Sequence, residues 1–205
     1  MKIMLCIIIG YLLGCLSPAA YLSRVKQTNL RENGTGNLGA TNTMLVMGKG
    51  FGIMVALIDI AKAFVAVKVG ALLAPATACA GILAGFAAIV GHIFPFYMHF
   101  KGGKGLATFG GLLLGVDAKL FVFLLVVAII AMLVVNYSVA APMSAAVLFP
   151  ILYHRTHTDP YSMMIAVAVS ALIIVVHLSN ITRAREGNEM KIRDYLTGRG
   201  GKHAE

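Results

Sequence analysis

Eight residues near the middle of the chain carry its densest chemistry: Lys101-Gly102-Gly103-Lys104-Gly105-Leu106-Ala107-Thr108. The glycines permit positive φ angles and leave backbone N–H groups bare, so that a concave turn can converge on an anion. Lys101 and Lys104 add full positive charges. The apolar run beginning at Leu106 reads as a helix, whose N-terminal end favours a phosphate. The spacing is not that of a Walker A loop, and no buried strand leads into it. Taken alone, the stretch also fits a basic loop between two membrane helices.

Two further segments share this polar, glycine-bearing character. Residues 31–42 read Arg31-Glu32-Asn33-Gly34-Thr35-Gly36-Asn37-Leu38-Gly39-Ala40-Thr41-Asn42. Such a loop offers backbone amides, Thr hydroxyls and Asn amides to a phosphate or carbonyl oxygen. It also fits a turn that caps a following helix. Residues 177–189 run from His177-Leu178-Ser179-Asn180 through Arg183 to Glu189. His177, Asn180 and Arg183 recur at helical spacing and so face one cleft at the end of a last helix. His177 has three possible roles there: general base, hydrogen-bond donor or helix cap.

The elements that must position these segments are membrane helices. The 205-residue chain is 59% hydrophobic and 12% charged, with a mean hydropathy of +0.86, which places it among integral membrane proteins. Apolar runs predict helices at about 3–22, 50–73, 77–97, 105–116, 118–135, 138–153 and 161–179. The fold expected is an all-α membrane domain over 1–205 with about seven transmembrane helices, ending in a flexible cytoplasmic tail at about 192–205. The fourth helix is too short to span alone and reads as a half-helix aimed into the protein. The first run continues to Leu22 without a small-residue cleavage site and reads as a retained helix.

Letting seven helices alternate leaves twelve lysines and arginines on one side and three on the other. The positive-inside rule then places the N-terminus outside and the C-terminus in the cytoplasm, with all three polar segments on the cytoplasmic face. The net charge of +9 fits contact with anionic headgroups or substrates. Nucleic-acid motifs are absent.

Asp59 and Lys62 lie three residues apart on one helical face, deep in an apolar run. That makes them either cavity-lining charges or a structural ion pair. Cys6, Cys15 and Cys79 lack C-x-x-C spacing and read as inert thiols. His154 and His157 have no third ligand, so no metal is expected. A G-x-S-x-G elbow is missing, and no acyl-enzyme is suggested.

In order along the chain, the three segments resemble the motifs of the acyl-phosphate-dependent glycerol-3-phosphate acyltransferases, the PlsY family. Gly34 to Asn42 resembles its first motif, Gly91 to Thr108 its second and His177 to Glu189 its third; Asp59 and Lys62 match a D-x-x-K pair. The resemblance implies acyl transfer from acyl phosphate to the 1-hydroxyl of sn-glycerol 3-phosphate, giving lysophosphatidic acid and phosphate. The setting implied is a multi-pass protein of the bacterial cytoplasmic membrane, monomeric, with no cofactor and no nucleic-acid partner. It further implies that His177, Asn180, Lys104 and Thr35 are catalytic. Substrate binding would fall to Lys101, Gly102, Gly103, Gly105, Thr108, Gly36, Asn37, Thr41, Asn42, Arg183 and Glu189. Two family arginines are replaced, by Leu45 and by Asn136. Loss of two guanidiniums from a two-phosphate site leaves open a paralogue that binds a phosphorylated metabolite or lipid as carrier or regulator.

Overall fold

The computed structural model describes residues 1–189 and 191–196. Among these every regular element is a helix, apart from one isolated β-bridge between Tyr137 and Lys191. Five segments are long and apolar enough to cross a membrane: Lys2–Val25, Lys49–Leu73, Ala80–Met98, Ala118–Val135 and Pro160–Arg185. Leu106–Val116 and Ala140–Tyr153 are shorter apolar helices. These seven segments correspond to the seven expected apolar runs.

The first expected helix is in fact two. Helix α1 (Lys2–Cys15) ends at Leu16, and α2 (Pro18–Val25) restarts with Ser17 as N-cap and Pro18 at its first position. Ser17 accepts a hydrogen bond from the Ala20 amide, and a proline suits that position because its missing N–H would have no helical partner. The break bares the Leu16 carbonyl, which accepts a hydrogen bond of 2.6 Å from the Lys62 ammonium on α4 (Lys49–Leu73). No apolar run predicts α3 (Ala40–Met47), although the first polar segment fits a turn leading into a helix. Its eight residues are too few and too polar to register as an apolar run.

Helix α5 (Ala80–Ile93) lies against both α1 and α4. Gly10 and Gly14 of α1 meet the backbone of Ala84 and Ala88 so closely that a Cβ on either glycine would overlap a carbonyl oxygen. Matching small residues one turn apart let two membrane helices approach to backbone contact. The short α6 (Leu106–Val116) packs on α4 in the same way, with Gly111 against the Ile60 carbonyl. Helices α7 (Ala118–Val135), α8 (Ala140–Tyr153) and α9 (Pro160–Arg185) follow in sequence as packed neighbours. Phe109, Phe149, Leu112, Leu124 and Ile173 fill the core between them.

Helix α9 runs six residues beyond the expected end at 179, so His177, Ser179, Asn180 and Arg183 all sit in its closing turns. Gly187 then adopts a φ of +76°. The Asn188 amide donates to the Arg183 carbonyl and the Gly187 amide to that of Ala184. This paired closure is a Schellman motif, and it folds the chain back over the helix end. The expected tail begins with a short helix, α10 (Ile192–Leu196); residues 197–205 lie outside the described residues.

Candidate active site

Lys104 is the centre of the polar cluster. Its ammonium donates to Asn180 Oδ1 and, at 3.1 Å, to Ser179 Oγ. Asn180 in turn donates from Nδ2 to Glu189 Oε1 at 2.8 Å, and Ser138 Oγ donates to the same oxygen at 3.3 Å. The other Glu189 oxygen lies 3.2 Å from Arg183 Nε. Glu189 is buried, and a buried carboxylate needs such partners. Its grip on Nδ2 decides which way the Asn180 amide faces, and so aims Oδ1 at Lys104. Lys104 is half-buried, and that burial pushes its ammonium below the ordinary lysine value; Glu189 pulls it back up and Arg183 opposes that.

His177 lies one turn before Asn180. Its Nδ1 is 2.8 Å from the Ile173 carbonyl, which can only accept, so Nδ1 carries the proton and Nε2 is left with a lone pair in the neutral ring. That is the tautomer a base or hydrogen-bond acceptor needs. The structure thus brings His177, Asn180, Lys104, Arg183 and Glu189 to one end of α9.

The glycine loop works differently from the sequence expectation. The amides of Gly102 and Gly103 are spent on the carbonyls of Ile93 and His92, at 2.8 and 3.1 Å, and so are closed to an anion. What makes glycine necessary is proximity: a Cβ on Gly102 would overlap the His92 carbonyl, and one on Gly103 would overlap the His92 ring and the Leu38 carbonyl. The anion-seeking amides are instead those that follow. Gly105, at φ +78°, starts α6 with no side-chain cap, so the first-turn N–H groups remain beside Lys104. Thr108 is completely buried with its hydroxyl unpartnered, in the core beneath this turn.

Residues 31–42 join the cluster through the same loop, with Leu38 against Gly103 and the Arg31 guanidinium donating to the Lys101 carbonyl. Asn42 braces this first loop from inside. It is completely buried, takes the Thr35 amide on Oδ1 at 2.6 Å and gives Nδ2 to the Leu30 and Asn33 carbonyls. Its side chain is therefore committed to loop shape, where substrate contact was expected. Gly34 and Gly36 adopt positive φ angles of 63° and 72°. Thr35 and Asn37 are half-buried and Thr41 is exposed. Lys101 is not brought to Lys104; it lines a separate cavity with Arg31, Met98 and His99.

Behind the loop lies a charge network that the sequence suggested only in part. Lys62 Nζ is 2.7 Å from Asp59 Oδ1 and 2.8 Å from His92 Nδ1, and the last two atoms are 3.3 Å apart. All three side chains are buried. His92 was missed as the third member because 30 residues separate it from Lys62; an ionisable group in an apolar span, itself needing partners, was the available signal. Ser138, Ser179 and Arg31 were missed as well. Asn136, where the resemblance leads to the expectation of an arginine, is the left-handed C-cap of α7 (φ 65°), and its backbone and side-chain oxygens accept the amides of Ile192 and Arg193.

An apolar cavity of about 240 Å³ begins at Leu106 and Ala107, beside Lys104, and runs between α6, α7 and α8. Phe109, Gly110, Phe121 and Met132 are among its lining residues. A polar cluster around Lys104 and an apolar cavity lined by the next turn of the chain, among helices of membrane-spanning length, together suit an amphiphilic phosphate or its acyl derivative.

The comparisons make the class specific. Residues 4–187 match the family model described as glycerol-3-phosphate acyltransferase. A glycerol-3-phosphate acyltransferase of Streptococcus thermophilus is 38% identical over 198 residues, covering 92% of each chain, and one of Coxiella burnetii is 35% identical, covering 94% of this chain and all of the other. Among solved structures, the glycerol 3-phosphate form of PlsY (YgiH), described as an integral membrane glycerol 3-phosphate acyltransferase, superposes with a TM-score of 0.90 at 27% identity. It covers 96% of this chain and 98% of that one. The lysophosphatidic acid form gives 0.85. The chain belongs to the glycerol-3-phosphate acyltransferase family.

Proposed function

We propose that the protein transfers a fatty acyl group from acyl phosphate to the 1-hydroxyl of sn-glycerol 3-phosphate, at the cytoplasmic face of a bacterial cytoplasmic membrane. The observation that carries this is the meeting of Lys104, Asn180 and His177 with the uncapped start of α6 at the head of an apolar groove. The excess of lysine and arginine on one side supports a cytoplasmic C-terminus and a cluster on that same face.

Acyl phosphate is a mixed anhydride with a good leaving group, so the protein needs no covalent intermediate; alignment and charge stabilisation remain. Lys104 and the α6 amides hold the phosphate of glycerol 3-phosphate. His177 Nε2 accepts a hydrogen bond from the attacking hydroxyl, and Asn180 fixes that substrate's orientation. The glycerol oxygen adds to the acyl carbon, phosphate departs, and the proton leaves through His177 or on the phosphate. Thr35, Asn37 and Thr41 offer polar side chains from the first loop to the acyl phosphate. The acyl chain lies along α6 and α7.

Purified protein in lipid, supplied with acyl phosphate and labelled glycerol 3-phosphate, is expected to form labelled lysophosphatidic acid. Folded protein that binds glycerol 3-phosphate without forming product would instead support the carrier reading. The groove gives its own test. A Cβ on Gly110 would sit 3.5 Å from the Phe121 ring, so a larger side chain there fills the cavity. Gly110→Leu is expected to lower turnover of hexadecanoyl phosphate several-fold more than that of decanoyl phosphate. Equal loss on both donors would place the chain elsewhere.

A further inference from the structure

Two lysines three residues apart in one loop serve different places. Lys104 is tied to Ser179 and Asn180. Lys101 is exposed and lines a cavity of about 390 Å³ with Arg31, Met98 and His99, which shares no lining residue with the apolar groove. The divergence begins in the backbone. His99 and Phe100 take φ angles of 53° and 57° in succession, a left-handed conformation that non-glycine residues rarely adopt and that persists only where its surroundings enforce it. Enforcement here comes from the Met98 and Phe100 amides, both bonded to the Pro95 carbonyl, and from the Lys101 amide, bonded to that of Met98. The Arg31 guanidinium, anchored on the Lys101 carbonyl, lines the same cavity and keeps the rest of its donor fork open.

The surroundings show what kind of anion this cavity meets. Phe96, Tyr97 and Phe100, the chain neighbours of its lining residues Met98, His99 and Lys101, each expose more than half of their surface. The Tyr97 hydroxyl donates to the Cys15 carbonyl at 2.7 Å, and the Tyr11 hydroxyl donates to that of Phe94 at 2.8 Å. These bonds pin the aromatic turn to the last turns of α1, just before the α1–α2 break. Exposed aromatic rings next to lysine and arginine mark the depth at which hydrocarbon gives way to headgroups. A cationic hollow at that depth meets anions carried on lipids.

We propose that Arg31, His99 and Lys101 form a second anion site, distinct from the Lys104 cluster, which takes the phosphate of an anionic phospholipid headgroup. Its recognition chemistry is a phosphate group held by a guanidinium, an ammonium and an imidazole. Free phosphate shares that chemistry, and the experiment separates the two sources.

Full-length protein in nanodiscs of zwitterionic lipid with graded phosphatidylglycerol is released and weighed by native mass spectrometry. The wild type is expected to retain one more phosphatidylglycerol than Lys101→Gln or Arg31→Gln, with affinity falling about five-fold per charge removed. Lys104→Gln is expected to retain it as the wild type does, and Lys101→Arg to restore it. Equal retention by the wild type, Lys101→Gln and Arg31→Gln would overturn the site; loss in Lys104→Gln would merge it with the catalytic cluster and overturn its independence. Inorganic phosphate forms the second arm. Failure of millimolar phosphate to displace the lipid supports the headgroup, whereas complete displacement from the wild type rejects the lipid as the source. Circular dichroism of Lys101→Gln, an exposed side chain, checks that folding is unchanged. The readout needs no acyl transfer, so its outcome is independent of the catalytic assay.

Discussion

Lys104→Gln is expected to raise KM for glycerol 3-phosphate by about 10- to 100-fold, the equivalent of losing one hydrogen bond to a charged group at about 1.5–3 kcal/mol. Glutamine keeps much of the length and can still donate to Asn180 Oδ1, but it removes the charge beside the uncapped start of α6. KM for acyl phosphate is expected to change far less. Equal effects on both substrates would mean that the ammonium shields the reacting centre rather than one phosphate. The same ammonium sets a pH limb. Burial lowers its pKa from the ordinary lysine value, so the charged form is lost as pH rises through that lowered value. In the wild type kcat/KM for glycerol 3-phosphate should therefore fall on the alkaline side below the range of an exposed lysine, and Lys104→Gln should abolish that limb.

Short-range pattern and long-range pairing were unequally legible. The apolar runs placed seven helical segments because hydrocarbon permits so few alternatives to a helix. The Ser17-Pro18 break was readable as a cap followed by proline, yet the continuous hydropathy around it hid the signal. The closing turns of α9 look too polar for a membrane span, and only the Schellman closure at Gly187 shows where the helix stops.

Residues of the candidate site followed the same rule. Lys104, Asn180 and His177 stood out by type and spacing. The jobs of Asn42 and of Gly102 and Gly103 did not, because they depend on which carbonyls fold back onto them: Leu30 and Asn33 in one case, His92 and Ile93 in the other. Asn136 looked like a lost arginine. In the structure it clamps residues 192 and 193 across more than fifty positions, a pairing that no local pattern announces.

The largest loss of stability is expected from Asp59→Leu. The carboxylate balances Lys62 within 2.7 Å in a span where both side chains are almost completely buried. Removing it leaves an ammonium with only the Leu16 carbonyl and the His92 ring for company. Breaking one partner of a buried pair costs about 3–5 kcal/mol, whereas replacing both with apolar side chains is often neutral. Thermal unfolding in detergent should therefore show a large fall for Asp59→Leu and near recovery for Asp59→Leu with Lys62→Met. Turnover is expected to follow a different course. The double replacement frees the Leu16 carbonyl and leaves the His92 ring without its two charged neighbours. That ring lies directly under Gly103, and the His92 carbonyl holds the Gly103 amide. Stability regained without activity would identify the network as the support that sets the Gly-Gly turn, and through it Lys104. Recovery of both would reduce it to an ion pair that merely joins helices.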